Sequence, residues 1–95
     1  MYPDISVILS IMGNEPSRSE ILKKVICQLK TQSFLSHEII LIEQYKDQPY
    51  HTMLGRLVDQ YVTIQHPVFN LPWCRNVGAK VAKGPMLLCL DGDVS

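Results

Sequence analysis

Two runs of apolar, mostly β-branched residues, Ile5-Ser6-Val7-Ile8-Leu9-Ser10-Ile11 and Ile39-Ile40-Leu41-Ile42, leave this chain few ways to fold. A strand with one wet face alternates apolar and polar residues, whereas a parallel strand covered on both faces reads as a nearly unbroken apolar run. Both segments are of the second kind, so each predicts a strand buried between layers of helix, with the first run central. A third run, Met86 to Leu90, has the same character and predicts a further strand.

The intervening residues fit that scheme. Gly13, Asn14 and Pro16 break the first run, and Ser17-Arg18-Ser19-Glu20 has capping-box spacing. A helix is expected from there to about Thr31, with Ile21, Leu22, Val25, Ile26 and Leu29 recurring at three and four to form one apolar stripe. The second strand, Glu38 to Glu43, then completes a βαβ crossover. Gln44 to His51 is polar and reads as a loop, Thr52 to Asp59 as a short helix, and Tyr61 to Gln65 as a shorter strand near an edge. Asn70 before Leu71-Pro72 is a good helix cap, since proline is tolerated in a first turn; that helix is expected to run to about Lys83 and stop at Gly84. The expected class is α/β, a mostly parallel sheet of about four strands with helices on both faces. In such sheets ligands sit outside the carboxyl ends of the strands.

Composition narrows the functions open to the chain. Its 95 residues are 46% hydrophobic with a net charge of zero, which describes one globular domain. No Lys/Arg block exceeds Lys23-Lys24, so there is no electrostatic footprint for nucleic acid. The first apolar run follows Asp4 rather than a basic leader and is too short for a signal segment or a membrane span, so the chain reads as cytoplasmic. Cys27, Cys74 and Cys89 are odd in number and widely spaced, which predicts reduced, buried fillers rather than a disulfide framework. His37, His51 and His66 share no metal-ligand spacing and are read as loop or strand-end residues, and Trp73 as a core or cleft-wall residue.

The chemistry concentrates near the carboxyl end. Arg75-Asn76-Val77-Gly78, Ala82-Lys83-Gly84, the run Met86 to Leu90 and Asp91-Gly92-Asp93 follow one another in the sequence. Two carboxylates where a buried strand emerges suit a hard divalent cation that keeps positions open for phosphate oxygens. Arg75 offers a planar fork of donors suited to phosphate, early in a helix whose free amides also favour anions.

Residues 74 to 93 resemble, in order and spacing, the nucleotide-sugar half of an inverting family 2 glycosyltransferase with the GT-A (Rossmann-like) fold. The resemblance implies a metal-dependent transferase that uses Mn²⁺ or Mg²⁺ and a nucleoside-diphosphate sugar, UDP-sugar favoured. By that resemblance Asp93 coordinates the metal, Asp91 faces the ribose beside it, and Arg75, Asn76 and Gly78 line the nucleotide side. Where the family has a Pro-Thr-Tyr-Asn-Glu segment, this chain has Ser10-Ile11-Met12-Gly13-Asn14-Glu15, so Ser10, Met12, Gly13 and Glu15 are the matching nucleotide contacts, with Met12 in place of a stacking tyrosine. Where the family has Asp-Asp-Gly-Ser, this chain has Glu43-Gln44-Tyr45-Lys46, which leaves Glu43 to accept from the uracil imide.

The family's general base lies beyond the Asp-x-Asp motif, so no catalytic residue is assigned and the 95 residues alone are expected to lack transferase activity. The fourth strand is expected to expose a hydrophobic sheet edge that invites self-association. The competing readings are a related nucleotidyl-transfer enzyme, for which a glycine- and basic-rich phosphate loop after the first strand is missing, and a non-catalytic assembly module with the same fold.

Overall fold

The computed structural model describes residues 3–13, 19–31 and 36–91, and these form an α/β sandwich. Its elements are β1 (Ile5–Gly13), α1 (Ser19–Lys30), β2 (His37–Tyr45), a short 3₁₀ helix (Thr52–Arg56), β3 (Gln60–Gln65), α2 (Leu71–Val81) and β4 (Met86–Asp91). The four strands make one sheet in the order β3-β2-β1-β4, and every pairing is parallel. The two unbroken apolar runs occupy the two central positions, where both faces must be covered.

Alternation along the strands divides the core into two layers. On one face Leu9, Ile11, Ile39 and Leu41 pack with Leu22 and Ile26 of α1 and with Leu54 of the 3₁₀ helix. On the other, Ile8, Ile40, Ile42 and Ile64 pack with Cys74 of α2. Full burial of an aliphatic side chain is worth roughly 1.5–3 kcal/mol, so Leu22 and Ile26 are the principal anchors of α1. Ile21 was expected in the same stripe, but it is 57% exposed, because the buried line runs through positions 22, 26 and 29.

Several boundaries differ from expectation for identifiable reasons. β2 continues through Gln44 and Tyr45, residues assigned to a loop, because loop groups satisfy the Gln44 amide inside the fold. The Asn70 cap is present, its Oδ1 accepting from the Trp73 amide at 2.9 Å. The helix stops at Val81 rather than Lys83. Ala82 is extended (φ −66°, ψ 138°), and the next two amides go to side chains of the sheet: Lys83 N donates to Glu38 Oε2 at 2.6 Å and Gly84 N to Ser6 Oγ at 2.8 Å. The expectation of three buried cysteines holds only for Cys74, since Cys27 and Cys89 are exposed on α1 and β4. The Ser17 cap of α1, Glu15 and Asp93 lie outside the described residues.

Candidate functional site

β1, β2 and β4 end at Gly13, Tyr45 and Asp91, so the strand residues singled out in the sequence, Ser10, Met12, Gly13, Glu43 and Asp91, fall toward one edge of the sheet. Strand alternation splits them between its two faces. Gly13 and Glu43 share the α1 face with Ile11. Ser10 shares the α2 face with Ser6 and Ile8, and Ser10 is in register with Asp91.

On the α1 side the sequence reading of Glu43 is corrected. It is neither a solvated strand-end charge nor an open acceptor for a base, because it is fully buried and its oxygens are engaged from within the chain. Tyr50 N donates to Oε2 at 2.8 Å, His51 N donates to Oε1 at 3.2 Å, and the Tyr61 hydroxyl donates to Oε1. Burial, then the hydrogen bond and negative charge of Glu43, push the Tyr61 phenol well above its ordinary range, so it stays a donor. Gly13 is required by the same arrangement: a Cβ there would lie well inside contact distance of Glu43 Oε2. Gly13 thus makes room for an internal carboxylate. Next to this cluster the Ser19 hydroxyl and buried His51 Nδ1 are 2.9 Å apart, beside a cleft of about 340 Å³ lined by Ser19, Lys23, Leu54, Arg56 and Leu57 among others.

On the α2 side Gln44 positions the helix. Its Nε2 donates to the carbonyls of His66 (3.1 Å) and Val68 (2.5 Å), while its Oε1 accepts from Asn70 N (2.8 Å) and faces the Cys74 thiol at 3.7 Å. Burial pushes that thiol up, which keeps it protonated and able to donate. One buried amide therefore ties β2 to the loop, cap and first turn of α2. Arg75 and Asn76 follow directly, both exposed on the helix. Trp73 is 40% exposed and meets the His66 ring edge-on, with centroids 5.5 Å apart.

Gly78 does not line this edge. It is buried one turn further along α2, and a Cβ on it would lie 2.5 Å from Ile8 Cγ2, so the glycine serves close helix-on-sheet packing. Met12 is half-buried near the end of β1.

Ser10 differs from every other buried polar group on the strands. It is fully buried, and its hydroxyl has no hydrogen-bond partner among the described residues. Ser6, two positions back on each of two alternations along the same face, shows the contrast: its hydroxyl donates to Glu38 Oε2 at 2.6 Å and accepts from Gly84 N. Glu38 also accepts from Gln60 Nε2 at 2.9 Å. Burial alone raises its carboxyl, but the bonds from Ser6, Lys83 N, Gln60 and Gly84 N together hold it below the ordinary value. A polar cleft of about 380 Å³, lined by Glu38, Asp59, Gln60 and Lys83 among others, opens at that amino end of the strands.

Asp91 closes β4 through its backbone, while its side chain and all of Asp93 lie outside the described residues. Among the described residues no group of three His, Cys, Asp or Glu side chains is placed to hold a metal ion. No described helix is long and apolar enough to cross a membrane. No family model matches the chain, and no curated protein matches it.

Sequence reasoning missed the internal roles of Tyr50, His51 and Tyr61 around Glu43, and of Gln44 around α2. The available signal was polarity inside a strand. A glutamate and a glutamine that continue a run of four aliphatic residues are either at the surface or fully satisfied, and periodicity alone does not distinguish the two.

Proposed function

We propose that this chain binds a nucleoside diphosphate, as the donor-binding part of a metal-dependent glycosyltransferase working in the cytoplasm. The observation that carries the reading is Ser10: a fully buried hydroxyl without a partner among the described residues, toward the carboxyl end of a central parallel strand and in backbone register with Asp91, the first residue of Asp91-Gly92-Asp93. An orphaned buried hydroxyl costs roughly 1–3 kcal/mol, and a ligand oxygen beside it relieves that cost.

The donor chemistry of the motif fits Mg²⁺ or Mn²⁺, which takes one or two carboxylates and fills its other positions with phosphate oxygens and water. Asp91 and Asp93 would hold the ion, which when bound neutralises charge on a departing diphosphate. The chain's own residues orient the ligand. Arg75, exposed on the first turns of α2, offers a fork of donors to phosphate, and Asn76 stands next to it. The loop and cap that place both residues are fixed by Gln44. Recognition of the base does not run through Glu43, whose oxygens already serve Tyr50, His51 and Tyr61.

Calorimetric titration of UDP tests this reading. Saturable binding with Mn²⁺ is expected, lost on chelation and in Asp93→Ala, and weakened about tenfold or more in Ser10→Ala, since a charge-assisted hydrogen bond to phosphate is worth about 1.5–3 kcal/mol. Absence of binding by a chain whose far-UV circular dichroism shows it folded overturns it.

A further inference from the structure

Across the sheet from Ser10 and Arg75, a cleft of about 340 Å³ opens between the first two turns of α1 and the 3₁₀ helix. Both walls are tied to one residue. The Ser19 hydroxyl of α1 lies 2.9 Å from His51 Nδ1, and the His51 carbonyl accepts from Leu54 N at 3.0 Å to begin the 3₁₀ turn. His51 is fully buried, and its own amide donates to Glu43 of β2 at 3.2 Å. The sheet therefore holds the two walls at a fixed spacing, so the cleft exists before a ligand arrives and little ordering opposes binding.

The lining sorts by chemistry, and that selects the ligand. Leu54 belongs to the core layer of Leu9 and Leu22, Leu57 packs against the same layer, and Met53, 70% exposed, carries the apolar surface out to solvent. Lys23 on α1 and Arg56 on the 3₁₀ helix supply a cation from each wall, and both are exposed. Among the described residues neither is in an ion pair. Glu20 is the one carboxylate in the lining, which leaves an excess of one positive charge. That balance matches a singly charged head better than a polyphosphate. Ser19 retains hydrogen-bonding capacity beyond its contact with His51, since a hydroxyl has one donor and two acceptor sites. The other lining side chains are apolar, so they read no base edge and favour an apolar body. The volume lies within the range of small-molecule sites, about 300–1,000 Å³.

We propose that this cleft is a second ligand site, which takes an amphipathic monoanion: a carboxylate head between Lys23, Arg56 and the Ser19 hydroxyl, and an aliphatic tail on Leu54, Leu57 and Met53. The site lies on the opposite face of the sheet from Ser10 and does not depend on nucleotide binding.

Titration of octanoate into the isotope-labelled chain, followed by backbone amide chemical shifts and by calorimetry, tests the site. Saturable binding with a dissociation constant on the order of 1 mM or tighter is expected. The shift changes should centre on residues 19–23 and 53–57. Acetate, which lacks the tail, and octanamide, which lacks the charge, should each bind about tenfold more weakly or worse. Lys23→Gln and Arg56→Gln should each weaken octanoate about three- to tenfold, and Glu20→Gln should strengthen it about twofold. Opposite signs at neighbouring positions are not produced by adhesion to an apolar surface. All three positions are exposed, so the circular dichroism spectrum should be unchanged. UDP with Mn²⁺ should not displace octanoate, and Ser10→Ala should bind it as tightly as the parent chain, so this site and the nucleotide site fail separately. No saturable binding, equal affinity for octanamide, shifts centred on the exposed residues of β4, indifference to the charge variants, or displacement by UDP each overturns the proposal.

Discussion

Glu43 and Ser10 are both fully buried polar residues near the carboxyl edge of the two central strands, on opposite faces of the sheet, and they are treated in opposite ways. The carboxylate is enclosed by two loop amides, a tyrosine hydroxyl and a glycine that leaves it room. The hydroxyl is enclosed by nothing polar among the described residues. A saturated group is a fixture of the fold, because removing its partners strands a charge; an unsatisfied one contributes no hydrogen bond to the fold. The face that looked richer in acceptors is therefore the closed one.

That contrast can be broken most directly at Gly13. Gly13→Ala pushes a methyl group into the Glu43 carboxylate and is expected to cost about 3–5 kcal/mol, the range for disrupting a buried charged network, read as a fall in the urea midpoint. A loss below about 1 kcal/mol would show that Glu43 is not held as described. Gly78→Ala on the other face should cost less, about 1–3 kcal/mol, the usual range for overpacking, because it strains apolar packing against Ile8 without disrupting a charged network. Crystallographic density showing Ile8 unmoved in that variant would contradict the packing role of Gly78.

Glu38, at the amino end of the sheet, extends the saturated class and supplies a pH test. Its carboxyl lies below the ordinary value of 4.5 when folded, so the native state binds the proton less readily than the unfolded chain. Its contribution is complete above about pH 4.5 and is lost as the pH falls through the lower native value. Glu38→Gln should cost about 1–2 kcal/mol at neutral pH and flatten the acid limb of the stability profile. An unchanged acid limb would remove Glu38 from the account.

The smallest effect is expected at Ser10. Ser10→Ala removes a hydroxyl without a partner among the described residues and should leave stability within about 0.5 kcal/mol or raise it by up to about 1 kcal/mol. A loss beyond 1 kcal/mol, measured by urea unfolding, would mean the hydroxyl is satisfied after all, and the contrast with Glu43 would collapse.

The sequence by itself determined the layer plan. Unbroken apolar runs require strands covered on both faces, Leu22 and Ile26 recur at helical spacing, and Asn70 before Leu71-Pro72 starts α2 where it is found. These outcomes depend on local propensity and on the period of apolar residues, which are properties of short segments. The same locality made the polar residues illegible. Glu43 and Gln44 are adjacent and similar in polarity, yet one binds donors seven, eight and eighteen residues away on the α1 face, and the other binds groups twenty-two to thirty residues away on the α2 face. Alternation along β2 sends them to opposite sides of the sheet, and only chain segments distant in sequence decide what each one meets. Whether a polar residue at the end of a buried strand is satisfied within the chain is a question of which groups reach it, and the tertiary structure surrounds Glu43 with donors while leaving the Ser10 hydroxyl without a partner among the described residues.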